Sequence, residues 1–326
     1  MDRLTLVTGA TGLVGNNVVR LLLEQGSPVR VLIRHDAAPQ PLEGLAVEGV
    51  GGDILDPDSV RRACQGVGCV IHAAAYVQLG RGQLDLHRTI NVEGTRHVAT
   101  AAREAGARLV HVSSTDALGV GSLDQPADEA TPLRPPVRCS YVITKREAEQ
   151  VVLAEVAQGL DAVIVNPSFM LGPWDWKPSS GRMLLEVAKG RAILAPRGCF
   201  SITDVRDVAA AILAAVEKGR TGQRYILAGE TMSYLAAWRL FAEVTGGRRP
   251  LAAPGPVLLW LAGRAGDFYS RLRGCESDVN SGAIALARLP KHYTSRRAIE
   301  QLGYHLRPLR QTVEDAWAWL RQHGYA

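Results

Sequence analysis

The sequence predicts an α/β protein, a doubly wound parallel sheet followed by a smaller, mostly helical C-terminal cap. Three observations predict it. Short apolar runs alternate with helical patterns through the first half of the 326 residues. A glycine-rich turn, Gly9-Ala10-Thr11-Gly12-Leu13-Val14-Gly15, joins the first of these runs to an apolar helix. Beyond Pro167 the texture changes to Pro, Gly and Trp, and then to helices. Parallel strands need long crossovers, which helices supply, so this alternation marks a sheet covered on both faces.

Taken in order, residues 4–8 form a strand, 13–25 a helix and 29–34 a second strand. Residues 45–50 are extended. Residues 56–65 are helical and open on Asp56-Pro57, a start signal because Asp caps amides and Pro is preorganised for the first turn. A buried strand at 69–75 precedes a long helix, roughly 84–105, and a strand at 108–113. A helix runs from Ser140 to about residue 158, then a strand at 162–166. The stretch "NPSFMLGPWDWKPSSG" reads as a long loop of the kind that carries function. Helices near 205–218 and 234–245 bracket a strand at 224–227. The terminal third is helical, with one extended piece at 292–294. The expected division is a sheet domain of residues 1–166, rejoined by 200–228, and a cap of 167–199 and 229–326.

Charge narrows the partners. The 37 basic and 32 acidic residues leave a net +5, scattered without like-charge runs or interleaved aromatics, which argues against a nucleic-acid face. Five cysteines (Cys64, Cys69, Cys139, Cys199, Cys275) form no CxxC pair or His/Cys cluster. They read as reduced thiols of a cytoplasmic protein, with no metal site. The chain enters a strand at once, leaving no room for a signal peptide. No apolar run approaches the ~20 residues of a membrane span. The helix "PVLLWLAGRAGDFYSRLRG" mixes Arg264, Arg271 and Arg273 with apolar residues. It is expected to pack over a substrate pocket in preference to touching a membrane surface, and no stable membrane insertion is expected.

Two patterns suggest chemistry. Glycine loses the most backbone freedom on folding, so three at a spacing of three need a reason. One is close approach of the main chain to a pyrophosphate at a helix N-terminus; a tight βα turn is the plain alternative. In "YVITK", Tyr141 and Lys145 lie four apart on one helix face. A neighbouring ammonium favours the phenolate and would lower the tyrosine pKa from near 10, making Tyr141 a general acid or base. Ser114 could polarise a carbonyl beside it. An amphipathic helix start explains the pair equally without chemistry.

Eight segments in order, "TGATGLVG", "GDILDP", "VIHAAA", "NVEGT", "HVSST", "YVITK", "NPSFMLGP" and "DVRDVA", span essentially the whole chain. Together they resemble the extended short-chain dehydrogenase/reductases, the NAD(P)-dependent epimerase/dehydratase family. The resemblance implies a Rossmann-type sheet and an enzyme that transfers hydride to or from a nicotinamide cofactor. It implies that Gly9, Thr11, Gly12, Leu13, Val14 and Gly15 meet the pyrophosphate. Asp53 and Ile54 would meet the adenine, Ala73, Ala74 and Ala75 would wall the ribose, and Pro167 and Ser168 would lie beside the nicotinamide. Ser114, Tyr141 and Lys145 match the catalytic set, with Lys145 also on the nicotinamide ribose, and Ser113 or Thr115 could share the serine's part. Asn91 stays open between a catalytic residue and a helix residue bonded to backbone.

The second strand ends on Arg34, whose guanidinium suits a 2′-phosphate, so NADP is expected, with NAD and Asp36 as the alternative. Nucleotide-sugar relatives carry an arginine where Phe200 stands, and Trp174 and Trp176 add apolar faces. With Tyr76 and Thr115 these are the expected substrate residues, core packing being the alternative for the tryptophans. The pattern looks most like the dihydroflavonol-reductase-like and 3β-hydroxysteroid-dehydrogenase-like branch, which includes hopanoid-associated sugar epimerase-like proteins. The implied function is NADP(H)-dependent hydride transfer with a hydrophobic ketone or alcohol, a small-molecule substrate, with a homodimer allowed. The alternative is an NAD-dependent sugar epimerase or dehydratase. A non-catalytic dinucleotide sensor has no need of a complete Ser114, Tyr141 and Lys145 set.

Overall fold

The computed structural model describes residues 3–133, 139–273, 277 and 279–326; Cys275 lies outside them. The first half runs β1 (Thr5–Thr8), α1 (Leu13–Glu24), β2 (Val29–Ile33), β3 (Glu48–Gly51), α2 (Pro57–Cys64), β4 (Cys69–His72), α3 (Leu84–His87), α4 (Gly94–Glu104), β5 (Arg108–Val112) and α5 (Ser140–Val156). There follow β6 (Ala162–Pro167), β7 (Phe169–Leu171), α6 (Ser180–Ala188), β8 (Cys199–Asp204), α7 (Val205–Lys218), β9 (Arg224–Leu227), β10 (Glu230–Ser233) and α8 (Tyr234–Thr245). The chain ends in α9 (Pro256–Arg273), α10 (Ser281–Ala287), α11 (Arg296–Leu302) and α12 (Leu309–Gln322).

Seven strands form one parallel sheet in the order β3-β2-β1-β4-β5-β6-β9. Strand side chains alternate between faces, and here both faces are apolar. Val7, Val31, Ile71 and Val165 face α1 and α7, while Leu6, Val70, Leu109 and Ile164 face α2, α4 and α5. Each such side chain contributes about 1.5–3 kcal/mol by leaving water. Ala298, Leu302 and Tyr304, from α11 and its exit, join the first of these layers. Strand order reverses between β1 and β4, and the crevice outside their carboxyl ends is where such sheets take ligands.

Three features differ from the sequence expectation. The long helix is interrupted by a π-helical stretch, Arg88–Glu93. Within it the buried Asn91 accepts the Tyr76 amide at 2.7 Å and donates to the Tyr76 carbonyl at 3.0 Å. Of its two readings, the backbone clamp is the one seen. Second, the expected loop after Pro167 contains β7 and α6, and β10-β8-β7 form a small second sheet. Its strands are three to six residues long, too short for a clear alternation. Third, α9 is thinly anchored: it packs on α10, buries only Leu259 and Gly263, and with α10 lines a hollow of about 200 Å³.

Candidate active site

The three glycines of the β1–α1 turn answer to different neighbours. Gly9 has φ +71°, and a Cβ there would stand 2.6 Å from the Ala74 nitrogen. The carboxyl ends of β1 and β4 therefore meet with no room for a side chain. A Cβ on Gly15 would fall 2.2 Å from the Gly9 carbonyl oxygen. Gly12 has neither constraint: its φ is −90° and a Cβ would meet only the Gly9 oxygen, at 3.4 Å. Nothing in the described protein requires glycine there, which leaves something outside the chain. Gly12 caps α1 without a side-chain bond, and no acidic residue occupies the first turn. Among the described residues the Leu13, Val14 and Gly15 amides find no acceptor. Such a turn offers converging N–H groups to an anion, as a dinucleotide pyrophosphate requires. At the other end of the crevice the Ser168 hydroxyl is buried with no partner among the described residues.

Beyond the carboxyl ends of β2 and β3 lies an open hollow of about 440 Å³ lined by Arg34, His35, Asp36, Asp53, Asp56 and Arg62. Arg34 is about half exposed, and its Nε lies 3.2 Å from the Asp36 carboxylate. The two residues expected to discriminate between cofactors thus hold one another. The Asp53 carboxylate accepts the Leu55 amide at 2.9 Å, ordering the turn that carries it. Ile54 is buried, and His97 bonds its carbonyl oxygen at 2.8 Å. Ala73, Ala74 and Ala75 are half-buried, and Ala73 donates to the Thr8 carbonyl at 3.2 Å.

Ser114, Tyr141 and Lys145 come together at the carboxyl ends of β5 and β6. The Tyr141 hydroxyl hydrogen-bonds to Ser114, whose Oγ also accepts the Asp116 amide at 3.1 Å. Lys145 Nζ donates to the Val112 carbonyl at 2.9 Å and stands 6.0 Å from the Tyr141 ring centroid. Here the expectation from spacing is overturned. Burial, with the Asp116 charge, pushes the Tyr141 phenol above its ordinary value, and the Ser114 bond and the Lys291 charge only partly oppose this. The cation that opposes the rise is Lys291, where the spacing points to Lys145. Burial lowers the ammonium itself to about 8, with Glu149 opposing.

Sequence reasoning missed two charged groups. Lys291, buried, reaches from the C-terminal part to place Nζ 2.7 Å from the Asp116 carboxylate, two residues past Ser114. Burial works against the ammonium, yet Asp116 outweighs it and holds the pKa above its ordinary value. The segment is stitched alongside: Tyr293 donates to the Thr115 carbonyl at 3.3 Å, and bridges join Gly121 to His292 and Ala127 to Tyr293. The other is Glu149, one turn beyond Lys145. Its carboxylate takes Ser113 Oγ and Asn166 Nδ2, each at 2.6 Å, and Arg224 Nε at 2.7 Å. Its i+4 spacing from Lys145 was the one signal in the sequence.

The expected substrate residues divide. Thr115 is buried in the Ser114 turn, and the Tyr76 hydroxyl donates to Gln83 at 3.0 Å above the crevice. Trp174 and Trp176 lie elsewhere, as a correction to their expected place. Their rings pack on Trp319 and His323 of the C-terminal helix end, and the Arg20 guanidinium covers Trp174 at 3.3 Å. Phe200 is buried between Tyr234, stacked at 4.1 Å, and Phe169, edge-on at 5.2 Å. It supports those rings from beneath.

Comparison with known proteins agrees with this fold. The profile of the NAD dependent epimerase/dehydratase family matches residues 5–228. Sterol demethylase protein B of Methylococcus capsulatus is 38% identical over 98% of this chain and 99% of its own length. The 4-hydroxy-2-methyl-3-oxo-4-farnesyl-3,4-dihydroquinoline-1-oxide ketoreductase of Stigmatella aurantiaca is 32% identical over 99% of this chain and 97% of its own. The solved structure of gox2253 superposes with a TM-score of 0.86 at 36% identity, covering 99% of each chain. No described helix is long and apolar enough to cross a membrane. The chain belongs to the NAD-dependent epimerase/dehydratase family, the extended short-chain dehydrogenase/reductases, and is an NAD(P)-dependent enzyme.

Proposed function

We propose that the chain is an NADP(H)-dependent reductase of a hydrophobic carbonyl compound, acting in reverse on the alcohol. The observation that carries the reading is the buried Tyr141 hydroxyl, bonded to Ser114 with Lys145 one turn along the same helix. A bound nicotinamide would supply or accept the hydride. Ser114 holds the carbonyl oxygen, and Tyr141 donates a proton to that oxygen as the C–O bond becomes an alcohol. A phenol kept protonated by burial suits donation, the reductive direction. Lys145, anchored on Val112, is placed to hold the ribose. In this reading residues 1–166 with 200–228 hold the dinucleotide, and 167–199 and 229–326 supply most of the substrate side.

Two things support a hydrophobic substrate. The place of a diphosphate-binding arginine is taken by Phe200, and among the described residues the buried cation Lys291 is committed to Asp116. Stripping water from two phosphates without a free cation is costly, whereas an apolar ring gains about 25 cal/mol per Å² buried. The sterol and farnesyl-quinoline names of the two relatives point the same way. The NADP preference rests on Arg34.

The test is a panel of aromatic and steroid-like ketones against nucleotide sugars, with NADPH oxidation and calorimetric binding as readouts. Turnover of an apolar ketone is expected, falling about 100-fold or more in Tyr141→Phe with cofactor affinity unchanged. Micromolar binding of a nucleotide sugar with no response to the ketones would overturn the reading in favour of an epimerase.

A further inference from the structure

A helix on a soluble domain normally turns its apolar stripe toward the core. Helix α9 does the opposite. Its buried residues, Leu259 and Gly263, define the inward side. There Gly263 lies against α10, with a Cβ position 3.1 Å from Ser281 Cα. At ~100° per residue, Val257, Leu261, Phe268 and Leu272 fall on the side facing directly away. They are 70%, 51%, 64% and 71% exposed. Arg264 and Arg271 flank this stripe along one edge, whereas Arg273 projects nearer the inward side. Arg264 lies 6.0 Å over Trp260, and Arg273 5.1 Å over Tyr269. Among the described residues of this face, charge is one-signed. Of the described residues of α9, Asp267 is the one acid, and its carboxylate is turned inward to accept the Ser281 amide at 3.0 Å. Arg81 and Arg288 line the hollow at the α9–α10 seam, beside Trp260 and Arg264.

We propose that α9 seats the enzyme on an anionic lipid bilayer, with the apolar stripe in the headgroup boundary and the flanking arginines on lipid phosphates. An outward apolar stripe edged by arginine and amphipathic aromatic rings is the composition an interfacial helix needs. A patch of this kind exceeds the scattered apolar residues of an ordinary surface. A second copy is the poorer occupant. Antiparallel pairing across a two-fold axis brings like edges together, setting Arg264 and Arg271 against their own counterparts. The membrane contact does not depend on the proposed reaction. Where that reading also holds, the contact places lipid one helical layer from the site, because Leu286 of α10 packs against Cys139, Tyr141 and Val142.

The experiment is co-sedimentation of the full chain with vesicles, without substrate. Vesicles of phosphatidylcholine containing phosphatidylglycerol are compared with phosphatidylcholine alone, at low and high salt. The expected result is sedimentation with the anionic vesicles that falls about tenfold or more on neutral vesicles or in high salt. Leu261→Asp/Phe268→Asp and Arg264→Glu/Arg271→Glu should each lose a similar factor, with thermal midpoint and NADP affinity unchanged. Equal partition onto neutral and anionic vesicles overturns the proposal, as does wild-type sedimentation of either variant. So does absence of vesicle binding together with a dimer, seen by sedimentation equilibrium, that Leu261→Asp/Phe268→Asp disrupts. The vesicle readout involves no turnover, so its failure is separate from failure of the reductase reading.

Discussion

Substituting alanine at Gly12 and at Gly15 should separate ligand constraint from fold constraint within one seven-residue turn. At Gly15 the new methyl would lie 2.2 Å from the Gly9 carbonyl oxygen, 2.7 Å from its carbon and 3.0 Å from Ala10 Cα. All three are main-chain atoms, so relief requires moving the β1–α1 junction itself. Overpacking of this kind costs about 1–3 kcal/mol or more. Unfolding entropy of about 2.1 cal/mol/K per residue over 326 residues gives about 0.7 kcal/mol per degree. A loss of about 2–3 kcal/mol thus lowers Tm by about 3–4 °C. At Gly12 the backbone suits any residue and the nearest atom is 3.4 Å from the new carbon. Stability should change by less than about 1 kcal/mol, since alanine is only a poorer cap. Dinucleotide affinity should fall instead. A methyl between the pyrophosphate and the amides would cost a charge-assisted hydrogen bond, about 1.5–3 kcal/mol, or about 10- to 150-fold in Kd. Calorimetric Tm and fluorescence titration of NADPH measure the two effects. Wild-type affinity in Gly12→Ala, or an unchanged Tm in Gly15→Ala, would refute the division.

Arg34→Ala should weaken NADP by about 1.5–3 kcal/mol and leave NAD nearly unchanged; equal losses for both would mean that Arg34 does not read the 2′-phosphate. Lys145 titrates near 8 in the fold and about 10.4 unfolded, so between these values the unfolded chain binds more protons and stability rises with pH. The Tm of the wild type relative to Lys145→Met should therefore climb from about pH 8 to pH 10, and a flat difference would count against the burial argument. Asp116→Asn leaves the buried Lys291 charge unpaired and should cost about 3 kcal/mol or more, most of it recovered in Asp116→Asn/Lys291→Met. A double variant as unstable as the single one would show that the pair is not what holds the turn.

The parallel sheet was legible because its strands, apart from the exposed edge strand β3, are short apolar runs that alternate with helices. Boundaries at Val205–Lys218, Arg224–Leu227 and Tyr234–Thr245 are as expected. The small sheet was not legible. Strand β8 pairs with β7 and β10, about thirty residues away on either side, and no local pattern announces such partners. Asn91 could be read two ways because a helical asparagine looks the same whether it faces substrate or backbone, and its bonds to the Tyr76 backbone became visible only in the fold. Asp116 and Lys291 are 175 positions apart, and each alone is an ordinary loop charge. The tryptophans show the reverse error: large rings near a functional loop suggest a pocket, but Trp319 and His323, on a distant helix end, claim them.

The Glu149 carboxylate has a mechanical consequence. It links α5 to Ser113 at the end of β5, Asn166 in β6 and Arg224 in β9. The helix that carries Tyr141 and Lys145 is thereby riveted across three neighbouring strands. The turn at 79–82 meets the rest through Asn280 on Leu79 and through the Ser140 amide and hydroxyl on Gly80 and Gly82, each of the latter at 2.8 Å. A helix riveted this way keeps Tyr141 and Lys145 in a set register with the carboxyl ends of β5 and β6, whatever occupies the crevice.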